Sequence, residues 1–167
     1  VLTAREEDVA GWKGRRFPYT SGLITTGRYY AESPSDVRFD ATYGFFEIRA
    51  KIPAGRGLLP AIWMLPSNLE SLPEIDIMEV LGHKPDLLEL HFHFQDGLRN
   101  DTSVGREVET VDLSEDWHVY GLDWSADRMI WYLDGKKIWR YDDTRNIPNE
   151  PMYLILNLAV GGSWPGN

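Results

Sequence analysis

The stretch Pro73-Glu74-Ile75-Asp76-Ile77-Met78-Glu79-Val80-Leu81-Gly82 places three carboxylates inside an apolar segment. The eight residues between the proline and the glycine are rich in Ile, Val and Leu, which indicates a strand rather than a helix. Residues two positions apart on a strand point to the same face, so Glu74 and Asp76 point together.

Glu79 would lie on the opposite face of a regular strand, because five positions separate it from Glu74. One extra residue in a β-bulge restores the parity, and bulges are common beside active sites. We therefore predict a bulged strand whose three acids line one wall, with Ile75 and Ile77 packed behind them.

Three facing carboxylates point to several kinds of site. Two carboxylates about 5–5.5 Å apart can hydrolyse a glycosidic bond with retention of configuration, one as nucleophile and the other as acid/base. A third carboxylate between them can hold the nucleophile and keep the two pKa values apart. An acidic patch on a solvated strand and a calcium site have the same spacing, so the residues alone leave these alternatives open.

The segment EIDIME at Glu74–Glu79 resembles the Glu-x-Asp-x-x-Glu signature of glycoside hydrolase family 16, in its bulged, laminarinase-like form. Four further segments match that family in the same order: YTSG at Tyr19–Gly22, YGFFEIRAKIPAG at Tyr43–Gly55, PAIWMLP at Pro60–Pro66 and NLAVGGSWPG at Asn157–Gly166. The resemblance implies that Glu74 is the nucleophile, that Asp76 assists it, and that Glu79 is the acid/base.

A succession of short strands and turns, without a convincing amphipathic helix, indicates an all-β sandwich or jelly roll. The resemblance implies the same fold, a concanavalin A-like jelly roll of two antiparallel sheets with a concave substrate cleft. The clearest hairpin is Leu133–Lys136, because its Asp-Gly pair suits a type I′ turn. We expect a short strand at Val1–Ala4, a loop over Glu6–Phe17, a strand over Leu23–Tyr30 and a turn at Ser33–Asp36.

The length and composition limit the classes of function. A chain of 167 residues predicts a single domain over residues 1–167, and the resemblance implies that it is a glycoside hydrolase catalytic domain. The net charge of −9 argues against a nucleic-acid partner, and the absence of cysteine excludes disulfides and thiol chemistry. We expect a monomer that acts on a polysaccharide, binds no membrane, and is secreted or periplasmic in a bacterium.

The ends of the chain depart from the family pattern. The chain begins with Val1, so we expect that an N-terminal segment has been removed or omitted. The first strands of the family, and the strand that follows its GGxWPG motif, have no counterpart here. We therefore expect the terminal strands to be missing or trimmed.

The resemblance also implies residues that contact the substrate. Trp63 and Trp164 match aromatic residues that stack on sugar rings, His93 matches a histidine near the acid/base, and Asn157 matches a cleft asparagine. Gln95 continues the face of β-strand residues Glu89, His91 and His93, and we expect it to hydrogen-bond sugar.

Glu47 and Arg49 share the polar face of an alternating strand that borders the cleft in the family. We expect them to contact substrate, Arg49 above all, because a guanidinium fork can hold a hydroxyl and a carboxylate together. The alternative is a solvated sheet face. Leu59 and Leu72 stand where the family often has tryptophan, which predicts weaker recognition of laminarin and a closer relation to bacterial exopolysaccharide glycanases.

His91 and His93 have a spacing that can bind zinc. No third ligand is evident in the sequence, so we predict no metal at the site and no required cofactor. A structural calcium is compatible with the resemblance, with unknown ligands. We interpret His83 and His118 as structural or solvated.

These observations predict a retaining endo-glycosidase that cleaves β-1,3 or mixed β-1,3/1,4 glucan linkages by double displacement. Two alternatives remain. A transglycosylase would use the same site, and a non-catalytic, lectin-like jelly roll would bind carbohydrate without needing the three acids.

Overall fold

The computed structural model describes residues 1–27, 37–68 and 70–166. Apart from a 3-10 turn at Trp12–Gly14, the regular elements of these residues are strands. The strands are β1 (Arg5–Ala10), β2 (Arg16–Thr20), β3 (Leu23–Thr25), β4 (Gly44–Ala50), β5 (Leu58–Pro66), β6 (Glu74–Glu79), β7 (Leu87–Gln95), β8 (Asp101–Glu109), β9 (His118–Trp124), β10 (Met129–Leu133), β11 (Lys136–Tyr141) and β12 (Met152–Val160). No helix in this part of the chain has the length and apolarity needed to cross a membrane.

The strands form two large antiparallel sheets and one hairpin. One sheet has six strands in the order β3-β12-β5-β6-β7-β8, the other has four in the order β11-β10-β9-β4, and β1 pairs with β2. The two large sheets bury a common core, to which β6 and β7 contribute Ile75 and Phe92, and β9 and β10 contribute Leu122 and Trp131. The predicted all-β sandwich is therefore confirmed.

Local patterns predict several elements correctly. Asp134 and Gly135 have φ values of 49° and 74°, and β10 continues directly into β11, which is the predicted type I′ hairpin. On β4, Phe46 and Ile48 pack against the core. These two residues alternate with exposed neighbours, as the period-2 pattern requires.

The N-terminal region differs from its prediction. The expected loop over Glu6–Phe17 contains most of β1 and the first two residues of β2. The two strands pair antiparallel, with a register irregularity between Glu6 and Val9. Both strands are almost entirely exposed, so they carry no alternating apolar pattern from which to recognise them. Val1–Ala4, expected as a strand, has no regular structure.

The predicted strand over Leu23–Tyr30 begins with β3. Residues 28–30 lie outside the described residues, as does the predicted turn at Ser33–Asp36. β3 pairs only with β12 among the described strands and forms one edge of the six-stranded sheet.

β6 lies in the middle of the six-stranded sheet and contains the predicted bulge. Asp76 pairs with His91 on β7, whereas Glu79 pairs with Glu89. Three positions therefore separate the two acids on β6, against two positions between their partners on β7. The extra residue bends the strand locally and reverses the side-chain parity beyond Asp76.

Candidate active site

The three carboxylates of β6 share the face that points away from the core. Residues that pair directly across two strands lie on the same face of a sheet. The pairs are Glu74 with His93, Asp76 with His91, and Glu79 with Glu89. Their β7 partners are two positions apart and so share one face, which puts the three acids on one face too, as the bulge argument predicts.

The three carboxylates on β6, here called the wall of carboxylates, differ in solvent exposure: the two outer ones are partly exposed and the central one is buried. The side chains are 28% exposed at Glu74 and 16% exposed at Glu79, but only 3% exposed at Asp76. Behind them, Ile75 and Ile77 are buried in the core, as the sequence predicts. The two outer acids can therefore reach a ligand, while the central one acts on its neighbours.

The two histidines of β7 contact different carboxylates of the wall. His93 Nε2 lies 3.2 Å from Asp76 Oδ2 and 3.8 Å from Glu74 Oε1. His91 Nδ1 forms a 2.9 Å hydrogen bond with Glu79 Oε2, and its Nε2 lies 3.9 Å from Glu89 Oε2. The imidazoles thus divide the acidic cluster into a Glu74–Asp76 end and a Glu79 end.

Burial and mutual repulsion shift the pKa values of this cluster. Burial raises the pKa of Glu74 to about 7, and the neighbouring Asp76 charge adds to the effect. Burial also raises the pKa of Asp76 to about 6, although the adjacent His93 imidazole opposes this. Hydrogen bonding to Glu79 raises the pKa of His91, and the Asp76 carboxylate raises that of His93. The cluster therefore holds exchangeable protons near neutral pH.

Two tryptophans and an asparagine fix the centre of the wall. Trp63 on β5 pairs across the strands with Asp76, and its Nε1 donates a 2.7 Å hydrogen bond to Asn157 Oδ1 on β12. From the opposite sheet, Trp131 Nε1 donates a 2.9 Å hydrogen bond to the backbone carbonyl of Asp76. The structure thus places the predicted Trp63 beside Asp76 and the predicted Asn157 one strand further away, bonded to Trp63. It also adds Trp131, which the sequence does not single out.

Trp164 lies beside the Glu79 end. It follows Gly161 and Gly162, whose positive φ values of 75° and 117° turn the chain after β12. Its indole is 42% exposed, and its ring centroid lies 6.0 Å from that of His91 in an edge-on arrangement. The ring is therefore accessible beside the cleft, and its stacking on a sugar ring stays a prediction.

Gln95 lies at the end of β7, two positions beyond His93 on the same face. Its side chain is exposed and donates a 3.1 Å hydrogen bond to Asp101 Oδ1 on β8. It is thus oriented at the margin of the cleft, rather than against the three acids.

The structure does not bring Glu47 and Arg49 to the carboxylates. Their strand β4 belongs to the four-stranded sheet, and they point away from the core, on the face opposite to Phe46 and Ile48. Arg49 stacks over the ring of Trp117, with 4.8 Å between its Cζ and the ring centroid. The alternation of apolar and polar residues separates the two faces of β4 correctly, but it contains no information about which sheet the strand joins. The prediction that Glu47 and Arg49 contact the substrate is therefore wrong.

The two leucines that replace family tryptophans occupy different places. Leu72 lines a cavity of ≈ 340 Å³ together with Glu74 and His93. A second cavity, of ≈ 710 Å³, shares Ser71 and Leu72 with the first and extends to the loop at residues 144–150. Leu59 pairs with Ala159 near the other end of β5. Leu72 is therefore the replacement that lies next to a carboxylate.

One group of metal-compatible donors occurs within the described residues: Asp76, His91 and His93. Two imidazole nitrogens do not suit calcium, which takes oxygen ligands. The structural calcium that the family resemblance allows therefore stays a prediction without assigned ligands.

A β-sandwich with a central bulged strand, and with acids, histidines and aromatic rings on one outer face, defines a carbohydrate-active protein of the two-carboxylate type. The comparison with known families agrees. Glycosyl hydrolases family 16 matches residues 9–167, and the chain belongs to that family.

The chain is similar to curated glucanases. It is 36% identical over 147 residues to the endo-1,3-1,4-beta-glycanase ExsH of Rhizobium meliloti, which covers 87% of this chain and 29% of that protein. It is 36% identical over 186 residues to a beta-glucanase of Rhodothermus marinus, covering 99% of this chain and 59% of the relative. The chain thus spans less than two thirds of the length of these relatives.

Solved structures show the same fold. The catalytic domain of an endo-1,3-beta-glucanase (laminarinase) from Thermotoga petrophila superposes with a TM-score of 0.83 at 34% identity, over 99% of this chain and 68% of that one. LamA_E269S from Z. galactanivorans, solved in complex with laminaritriose and laminaritetraose, has a TM-score of 0.85 at 29% identity, over 100% of this chain and 69% of that one.

Proposed function

We propose that this chain hydrolyses internal β-1,3 or mixed β-1,3/1,4 linkages of a glucan, with retention of the anomeric configuration. The observation that carries the proposal is the common face of Glu74, Asp76 and Glu79 on the bulged strand β6. Membership of family 16 and the glucanase activities named for the relatives support it.

The reaction would proceed in two displacements. The Glu74 carboxylate attacks the anomeric carbon while Glu79 gives a proton to the leaving oxygen, which breaks the glycosidic bond and forms a glycosyl ester on Glu74. Glu79 then takes a proton from water, the water oxygen attacks the same carbon, and Glu74 leaves as a carboxylate. Two inversions at one carbon give overall retention.

Asp76 and the histidines adjust this cycle. The charge of Asp76 opposes ionisation of Glu74, and the repulsion disappears when Glu74 becomes an ester, which favours the intermediate. At the other end, the 2.9 Å hydrogen bond between His91 and Glu79 orients the carboxyl group that is proposed to protonate the leaving oxygen. A lectin-like domain would have no use for Asp76, because burying a carboxylate costs free energy that sugar binding alone does not require.

We further infer that the chain acts as a monomer on an extracellular polymer, and that it is exported to the periplasm or the medium of a bacterium. The size of a glucan and the bacterial sources of the glucanase relatives support this. Fractionation of the native host, with immunodetection of this chain, tests the location.

Product analysis tests the proposed activity. Incubation with a panel of β-glucans and bacterial exopolysaccharides, followed by chromatography, should give oligosaccharides, and proton NMR of early products should show the β-anomer first. Inverted products, or release of monosaccharide alone, would overturn the proposal. Products longer than the substrate would identify a transglycosylase on the same site.

The replacement of a family tryptophan by Leu72 predicts a preference among glucans. Affinity for plain laminarin oligosaccharides should be weaker than for a branched or mixed-linkage glycan, because the position beside Glu74 holds Leu72 rather than an aromatic residue. Leu72→Trp should tighten laminarin binding about severalfold, since one aromatic contact is worth ~0.5–1.5 kcal/mol. Calorimetric titration measures both. Val111→Trp, at an exposed position beyond the Leu87 end of the β7–β8 pair, is the control, and tight binding of laminaritriose by the unaltered protein would contradict the prediction.

The raised pKa of Glu74 predicts the acidic side of the pH profile. The nucleophile must be ionised, so kcat/KM should fall as the pH decreases through about 7, the pKa of Glu74 in the empty cleft. A fall should persist in Glu79→Ala assayed on an aryl glycoside, whose first step still needs ionised Glu74, at a somewhat lower pH because the Glu79 charge contributes to the raised pKa of Glu74. Initial rates from pH 4 to 9, with a chelator present, provide the measurement. A midpoint near the ordinary glutamate pKa of ~4.3 would contradict the prediction.

A further inference from the structure

Three side chains on the wall of the cleft form a donor set for a metal ion. One ring nitrogen each of His91 and His93, and one carboxylate oxygen of Asp76, lie within 4.8 Å of one another. The pairing of β6 with β7 holds them together, since His91 is the direct cross-strand partner of Asp76 and His93 follows two positions later. The backbone ladder, rather than a flexible loop, therefore positions all three.

The burial of Asp76 is a second observation in favour of a metal ion at this place. The residue is 2% exposed, and within the described part of the chain its Oδ2 atom has no hydrogen-bond partner. His93 Nε2 lies 3.2 Å from this oxygen, in an ion-pair contact. A buried carboxylate oxygen without a hydrogen bond is costly, so a cation held by Asp76 and the two histidines would add an interaction at this oxygen beyond its contact with His93.

The chemistry of the donors selects the ion. Two imidazole nitrogens and one carboxylate suit zinc and its neighbours in the first transition series, whereas magnesium and calcium prefer oxygen alone. Tetrahedral zinc with bonds of ~2.0–2.1 Å separates its ligand atoms by about 3.3 Å, so modest rotations of the half-exposed histidines would close the site. Three protein ligands leave the fourth position to water.

The surroundings resemble those of metal-ligating histidines. Ligating imidazoles are commonly held by a carboxylate on their other nitrogen, which orients the ring and strengthens it as a ligand. Here Glu79 and Glu89 lie on the two nitrogens of His91, at 2.9 Å and 3.9 Å. One of these acids can therefore keep its contact when the other nitrogen binds the ion.

We propose that Asp76, His91 and His93 bind one zinc-type divalent ion, and that the bound ion inhibits the enzyme. It would occupy the two histidines that contact the carboxylates, and it would fill the space between Glu74 and Glu79 in which the anomeric carbon must lie. Binding follows from the donor set alone, whereas inhibition rests on the proposed function.

Calorimetric titration of ZnCl₂ into the tag-free, chelator-stripped protein tests the binding. We expect one saturable site in the unaltered protein, and binding weakened at least about tenfold in His91→Ala and in His93→Ala, since the loss of even a supporting partner of a ligand typically costs 10–100-fold. His83→Ala removes an exposed histidine elsewhere in the chain and should bind as the unaltered protein does. Any binding of CaCl₂ should be the same in the His91 and His93 variants as in the unaltered protein, because calcium takes oxygen ligands.

Cobalt provides a readout that does not depend on activity or heat. Co²⁺ bound by two imidazoles and a carboxylate should show visible d–d absorption, and this band should be lost in His91→Gln, a variant that keeps a polar side chain and is checked for folding by circular dichroism. No saturable zinc binding, or equal binding in the His83 and His91 variants, would overturn the proposal.

Inhibition is measured separately. Zinc should lower the rate on a glucan, and a chelator should restore it. Zinc that binds at this site without lowering the rate would refute the inhibitory half alone. A protein that binds zinc but cleaves no glycan would refute the proposed function while leaving the binding site intact.

Discussion

Glu74→Ala should abolish hydrolysis of every substrate, because the variant lacks the carboxylate that is proposed to form the glycosyl ester. Added azide should restore the reaction, since a small anion can enter the cavity left by the side chain and attack the anomeric carbon directly. Such a single displacement gives a glycosyl azide of inverted configuration. The stereochemistry of that product, read by NMR, identifies Glu74 as the nucleophile.

Glu79→Ala should fail in a different way. Natural substrates lose the proton donor for their leaving oxygen, and loss of general acid/base catalysis alone costs about 10²–10⁴-fold in rate. Aryl glycosides with good leaving groups need little protonation and should still form the intermediate. Azide should then accelerate the second step and give a product of retained configuration, because two displacements have taken place.

The pair of rescued products is the decisive comparison. Glu109→Ala, at an exposed acid near the end of β8, is the control for a lost carboxylate and should leave the rate unchanged. If both cleft variants gave the same anomer, the assignment of roles would be wrong. The same holds if Asp76→Ala alone showed rescue with inversion, because Asp76 would then be the nucleophile.

The wall of carboxylates could be predicted because its cause is local. The side-chain parity of a strand follows from the backbone, so the spacing of Glu74, Asp76 and Glu79 either requires a bulge or excludes a common face. The structure contains the bulge at that point. The hairpin at Asp134–Gly135 is predictable for the same reason, since two consecutive positive φ values select those residues.

The placement of Glu47 and Arg49 could not be predicted in this way. Their strand has the correct alternation, but sheet membership depends on which distant strand supplies its hydrogen bonds, and β4 pairs with β9 rather than with any neighbour of β6. The metal-compatible group was also only partly predictable from the sequence. The His-x-His spacing is visible in the sequence, whereas the third donor, Asp76, becomes a neighbour only through the register of β6 with β7.

Trp131 connects the core to the wall of carboxylates, and its loss should have the largest effect on stability. Trp131 is fully buried, stacks near Trp139 with 4.2 Å between ring centroids, and donates its hydrogen bond to the backbone of Asp76. Trp131→Ala should lower the free energy of unfolding by about 3–5 kcal/mol, the usual cost of emptying a buried tryptophan site. Urea denaturation measures it, and Trp117→Ala, at a half-exposed position, should cost less than about 1 kcal/mol.

Trp131→Phe separates packing from positioning. The phenyl ring keeps most of the apolar contact but cannot donate, so the Asp76 carbonyl at the bulge loses this hydrogen bond, at a cost of about 0.5–1.5 kcal/mol. The protein should remain folded, but Asp76 and the acids on either side should be held less firmly. Because misplaced groups act chiefly on the transition state, kcat should fall more than KM rises. A folded Trp131→Phe variant with unchanged kcat would show that the bulge keeps its geometry without this hydrogen bond, and that Trp131 acts through packing alone.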